Sequence, residues 1–195
     1  NHNVVRPSGR SSSAHFFTGK IMKQNLFEVP FWHMNVSDFE KKKSQLIDWL
    51  KDYPEEKTGL QKFYTNKQIV KENDYCQKFI SIMSHEMNLF AKALKSDLEV
   101  TDVWSVSYKT GDYHTTHSHN STGMSAILYL DLPSDSPVTT YIQPWSHIKS
   151  SKTIQLNVDV KQGDIVFVPS FILHFSVPNE SMKTKRIISW DIKEL

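Results

Sequence analysis

The stretch that constrains this chain most is residues 113–133, YHTTHSHNSTGMSAILYLDLP. It places His114, His117 and His119 close together, then passes through a polar turn at Gly123 into the apolar run 124–132. On a strand, side chains two apart share a face, so His117 and His119 can address one object together. His114 falls an odd step away and is expected to point elsewhere, toward a pocket wall at most. Neutral imidazole is the commonest protein ligand for transition metals, so a paired display of this kind suits a metal ion. The plain alternative is a solvated, histidine-rich loop feeding a core strand.

From Glu99 onward the chain reads as short β runs. EVTDVWSVSY alternates through Val100, Val103, Trp104, Val106 and Tyr108, and Lys109 to Asp112 form a turn. After the histidines come SAILYLDLP, VTTYIQPW, TIQLNVDVKQGDIVFVPS, FILHFSVPN and TKRIISWDI, separated by Pro, Gly, Asn, Asp and Ser. That punctuation signals an all-β sandwich or barrel. No period of 20 to 50 residues repeats.

Two helices precede the strands. Ser37 and Glu40 form a capping-box pattern ahead of Phe39, Leu46, Ile47 and Leu50, and Tyr53-Pro54 ends the helix. Cys76, Phe79, Ile80, Met83, Met87, Phe90, Ala91 and Leu94 fall on one face of a second helix, with Glu86 off it. Both are expected to pack on the outer face of a sheet. Before them, NLFEVPFW reads as a strand that Pro30 confines to an edge. Residues 1–21 carry little periodicity and read as a flexible arm or a vector-derived segment, leaving 22–195 as one domain.

Composition narrows the function classes. A chain of 195 residues can bury one sizeable core, and 38% hydrophobic with 12% aromatic residues is a globular balance. The net charge of +2 carries no nucleic-acid signature. No apolar run has the length to span a membrane, and neither a secretory apolar region nor a lipidation motif is present. The only cysteine, Cys76, excludes an intrachain disulfide and fits a reducing, cytoplasmic setting.

Further pieces stand at a distance from the histidine pair. GDIVFVPSFILH brings a lone histidine, His174, just after a strand and turn, and Arg186 follows twelve residues later. Together with Trp104, Tyr108, Gly111, Ser125, Tyr129, Pro133, Gly163, Asp164, Phe167, Pro169 and Ser170, this order and spacing resembles a bacterial and phage group of the Fe(II)- and 2-oxoglutarate-dependent oxygenases. The likeness covers roughly the C-terminal half.

The resemblance implies a mainly β double-stranded β-helix, or jelly roll, supported by the two N-terminal α-helices. It implies Fe(II) held by His117 and His174, with His119 at the position where the family usually carries a carboxylate. Either His119 ligates, leaving the site one negative charge poorer, or it turns away and water completes the sphere. Arg186 is expected to pair with the distal carboxylate of 2-oxoglutarate. Alternation with Ile188 and Trp190 is taken to turn it inward, and Tyr129 can offer a phenol to the same carboxylate. Ile188 departs from the family's usual hydroxyl carrier at that position. Tyr108, His114 and His147 are candidates for the substrate pocket. The implied activity is a dioxygenase that uses O2 and 2-oxoglutarate to hydroxylate an unidentified substrate, releasing succinate. A cupin-like metalloprotein or isomerase would share the jelly roll and histidines without needing Arg186, and a non-catalytic jelly-roll module would need no metal.

Overall fold

A computed structural model describes residues 28–59, 62–67, 73–147 and 150–195. The boundary expected at residues 21 and 22 lies outside them. The chain enters through β1 (Trp32–Asn35), α1 (Phe39–Lys51), β2 (Glu56–Lys57), β3 (Tyr64–Thr65) and α2 (Asn73–Leu94). The β-rich part then runs through β4 (Leu98–Tyr108), β5 (His114–His117), β6 (Met124–Asp131), β7 (Thr140–Ser146) and β8 (Thr153–Asn157). It ends with β9 (Asp164–Pro169), β10 (His174–Ser176) and β11 (Lys185–Glu194). A seven-stranded sheet has the order β1-β9-β6-β11-β4-β3-β2, and a four-stranded sheet has the order β5-β10-β7-β8. All pairings are antiparallel. This is the jelly roll with two supporting helices that the sequence led us to expect. The strand expected over NLFEVPFW lies further along: residues 28–31 are not strand, and the edge strand β1 starts at Trp32, past Pro30, which offers no N–H to a ladder.

The large sheet is buried on both faces, and its alternation sorts side chains into two cores. Val103, Ala126, Leu128, Leu130, Ile165, Phe167, Ile188, Trp190 and Ile192 join the helical residues Leu46, Trp49, Tyr75, Phe79, Met83 and Phe90. Residues one step out of phase, among them Trp104, Val106, Tyr108, Ile127, Tyr129, Val166, Val168 and Ile187, face the small sheet and meet Tyr141 and Ile172. Phe90 of α2 stacks on Phe167 of β9 at 3.8 Å between ring centroids, which ties helix to sheet.

The capping box does not form. Ser37 turns instead to α2, where Glu86 accepts from its backbone N–H at 3.0 Å and from its hydroxyl at 2.8 Å. Lys42 completes the cluster with its Nζ 2.7 Å from Glu86 Oε2. Glu86 is therefore buried and paired, not off the packed face. The cap expected within α1 is outcompeted because a carboxylate already desolvated against the helix pair needs these donors more. Cys76 is half-buried, and burial pushes its thiol up, which keeps it protonated and unreactive.

Gly123, between β5 and β6, has φ of +84°. A Cβ there would drive into the Ile192 carbonyl, so both the backbone conformation and the close approach of β11 require glycine.

Candidate metal centre

Adjacent strands of the small sheet bring the histidines together. His174 of β10 is the direct cross-strand partner of His117 of β5, and the rings lie 4.4 Å apart. His119 follows β5; its N–H donates to the Ser170 carbonyl at 3.0 Å, which folds the loop back over the strand ends. Its ring stands 5.1 Å from His174 and 5.5 Å from His117. One ring nitrogen from each of His117, His119 and His174 lies within 4.8 Å of the other two.

Each ring is oriented through Nδ1. That nitrogen of His117 donates to the Thr115 carbonyl at 2.8 Å, and that of His174 to the Ile172 carbonyl at 2.9 Å. Nδ1 of His119 is 2.7 Å from Oδ1 of Asp191 on β11. With Nδ1 occupied three times over, Nε2 is the nitrogen each residue has left to offer. Burial pushes the His174 imidazole down to about 3, helped by the neighbouring His117, and burial lowers that of His117 as well. Both rings are neutral at pH 7, with lone pairs available. Three borderline-soft imidazole nitrogens converging on one point form a set that fits Fe(II) and its divalent neighbours.

Asp191 is held in turn. Ser125 donates from its hydroxyl to Oδ1 at 2.8 Å, and Ser170 lies 2.9 Å from Ser125 Oγ. Burial works to raise the Asp191 carboxyl, but the bonds from His119 and Ser125 outweigh it and hold it below the usual range.

His114 does not point elsewhere. Between His174 and Ser176 on one strand and His117 and His114 on the other, β5 carries one extra residue. This bulge cancels the odd spacing and returns His114 to the face of His117, with the rings stacked at 3.8 Å. Phe63 covers its other side at 4.3 Å.

Two spaces border the cluster. One is a small void of about 20 Å³ between the sheets, walled by the four histidines with Trp104, Tyr108, Ser176 and Ile187. On the other side a polar cleft of about 490 Å³ opens past His114, His117 and His119 toward Thr58, Lys67, Asp102, Asn120 and Asp191. Lys67 sits over the Trp104 ring at 3.6 Å and 3.9 Å from Asp102.

Arg186 does not reach the void. Its Nε donates to Ser107 Oγ at 3.1 Å, and a terminal nitrogen lies 3.8 Å from Asp131, which also pairs with Lys43 of α1. Arg186, Ile188 and Trp190 do share a face, as expected, but it is the one covered by the helices. Because β11 is buried on both sides, an apolar row along it can belong to either core, and alternation alone does not say which.

The interior row is Lys185, Ile187, Ser189 and Asp191, and sequence reasoning passed over both of its charged members. Lys185 is 1% exposed; it donates to Ser176 Oγ at 2.6 Å and to the Pro137 carbonyl at 2.9 Å. Its Nζ lies 4.4 Å from the centroid of the Tyr108 ring. No carboxylate pairs with it among the described residues, and burial lowers it to about 7. The sequence did carry a signal: Lys185 and Asp191 are charges at even spacing on the row that also holds Ile187 and Ser189, and buried charges are kept only where something answers them.

Tyr129 is buried on the same interior face, with its phenol accepting from the Thr139 N–H at 3.3 Å. Tyr108 walls the void. His147 stands exposed at the end of β7, within 3.2 Å of Ser150, and borders neither space beside the histidines.

Residues 102–191 match the protein family described as "Putative 2OG-Fe(II) oxygenase". The fold is similar to that of the non-heme alpha ketoglutarate dependent carbocyclase SnoK from nogalamycin biosynthesis, with a TM-score of 0.63 and 14% identity over 85% of this chain and 79% of that one. It is also similar to a prolyl-4-hydroxylase from Pseudomonas putida, at 0.58 and 11% identity over 85% of this chain and 94% of that one. HygX from Streptomyces hygroscopicus, solved with nickel, 2-oxoglutarate and hygromycin B, matches at 0.61 and 9% identity over 84% and 82% of the two chains. No curated protein sequence matches the chain.

Proposed function

We propose that this chain, whose residues 102–191 match the 2-oxoglutarate- and Fe(II)-dependent oxygenase family, is a dioxygenase that hydroxylates a substrate reaching the metal from the polar cleft. In this reading His117, His119 and His174 hold Fe(II), and Lys185, not Arg186, holds the distal carboxylate of 2-oxoglutarate. The observation that carries it is a buried lysine Nζ with no carboxylate partner among the described residues, bonded to Ser176 and over Tyr108, both in the wall of the void that the histidines border. A desolvated, unpaired cation is costly unless an anion arrives to meet it.

Bound at this site, Fe(II) and 2-oxoglutarate supply the oxidising chemistry, with O2 consumed and succinate and CO2 released. The chain's own residues do the rest. The three Nδ1 bonds aim the Nε2 lone pairs at one point. Lys185, now bonded to Ser176 and Pro137, would hold the distal carboxylate in their place, and that charge-assisted bond would secure its proton. The void beside the histidines, about 20 Å³, is smaller than a dicarboxylate, so binding would require the side chains around it to rearrange. Tyr129 and Tyr108 line the interior and exclude water, and Tyr129 is available to the same carboxylate. His114 and Asn120 stand where substrate would approach.

Anaerobic addition of Fe(II) and 2-oxoglutarate is expected to give a weak visible charge-transfer band, and aerobic incubation to release succinate. A folded, metal-loaded protein that shows neither a band nor 2-oxoglutarate binding would sink the assignment. A cupin-like metal protein without 2-oxoglutarate chemistry would retain the metal and leave Lys185 without a role.

A further inference from the structure

Among the three candidate ligands, one is treated differently. His117 and His174 each give their Nδ1 proton to a backbone carbonyl, which is neutral. His119, standing where relatives by resemblance carry a carboxylate, gives its Nδ1 proton to the carboxylate of Asp191. That carboxylate comes from a different strand and is nearly inaccessible, with side-chain exposures of 6% for His119 and 8% for Asp191. It is held by a hydroxyl chain from Ser170 through Ser125. Ser170 also fixes the backbone of His119 by accepting its N–H. The two residues are thus locked to each other from both ends by the same serine.

We infer that Asp191 restores to the metal centre the negative charge that His119 omits, placed one imidazole further from the ion. Asp191 is a positioning residue that acts through His119. Its carboxylate fixes the tautomer that presents Nε2 and polarises the ring toward imidazolate, making His119 a more basic donor than its two partners. In a water-poor interior the charge also reaches the ion with little screening. Lys67 and Asp102 are the other charges near this pair, and they face each other at 3.9 Å across the cleft wall.

The inference rests on the ligand set proposed above, and Co(II), an air-stable substitute for Fe(II), tests the two separately. Asp191→Asn keeps an acceptor for both His119 and Ser125 while removing the charge. It is expected to weaken Co(II) binding by about 10- to 100-fold, the range seen when a ligand's supporting partner is lost. It should also shift the Fe(III)/Fe(II) potential to more positive values. In a His119→Asp background the charge is back on the ligand itself, so adding Asp191→Asn should cost nothing and relieve repulsion. Unchanged Co(II) affinity in Asp191→Asn, or the same loss in both backgrounds, overturns the inference and leaves the ligand set standing. Failure of the wild-type chain to take up Co(II) overturns both. Metal-free melting temperatures report folding of each variant. If Asp191→Asn does not fold, Asp191→Glu and Asp191→Gln make the same comparison, charged against neutral at matched size.

Discussion

Lys185 and Arg186 are neighbours in the chain and stand on opposite faces of β11. Lys185 enters the space between the sheets, bonded to Ser176 and Pro137, while Arg186 lies under the helices with Ser107 and Asp131. One residue of strand phase thus decides which cation can meet a ligand in the interior.

Substitution should separate the two. Lys185→Met is expected to weaken 2-oxoglutarate binding by about 10- to 100-fold, the worth of one charge-assisted hydrogen bond. Arg186→Gln should leave it unchanged. Calorimetric titration of metal-loaded protein measures both, and a large loss on Arg186→Gln alone would return the role to the arginine.

Lys185 also predicts a pH dependence of stability. Burial lowers Lys185 from the ordinary lysine value of 10.5 to about 7, so the unfolded chain binds the extra proton between those limits. Without ligand, stability from this group is lowest below pH 7 and is regained as the pH rises toward 10.5, with a slope of at most about 1.4 kcal/mol per pH unit. Denaturant midpoints of the wild type and Lys185→Met should therefore differ most at pH 6 and converge in alkali. A difference that stays constant with pH would contradict this.

At the metal, His174→Ala is expected to abolish uptake, because it removes the most buried of the three rings. His119→Asp should retain uptake, since a carboxylate suits the same position on Fe(II). Equilibrium dialysis with metal analysis distinguishes the two, and the reverse pattern would mean that the ligands are misassigned.

On the supporting layer, Glu86→Ala should destabilise the fold by about 3 kcal/mol, because it strands the Lys42 ammonium and leaves the Ser37 N–H without its acceptor. Urea unfolding at neutral pH measures this. A loss below 1 kcal/mol, the scale of an exposed pair, would show that the cluster is effectively solvated.

Gly123→Ala should cost at least as much, since the added methyl meets the Ile192 carbonyl and the backbone is left-handed there. The same urea midpoints, or hydrogen exchange along β11, would register it.

Much of this molecule was legible in one dimension. Alternation after Glu99 and the three-and-four spacing of Phe79, Met83, Met87 and Phe90 report a local period, and a period is a property of the chain itself. The separated motifs around His117, His119 and His174 pointed to one centre for the same reason: each sits beside its own turn residues. What tertiary structure alone decided was phase and partnership. A bulge in β5 returned His114 to the face of His117, and two buried sheet faces left Arg186 and Lys185 equally eligible until the helices covered one of them. Glu86 drew Ser37 away from its local cap, and Asp191 found His119 across 72 residues. Such pairings follow from which groups lose water together, and that is determined only when distant strands and helices close on each other.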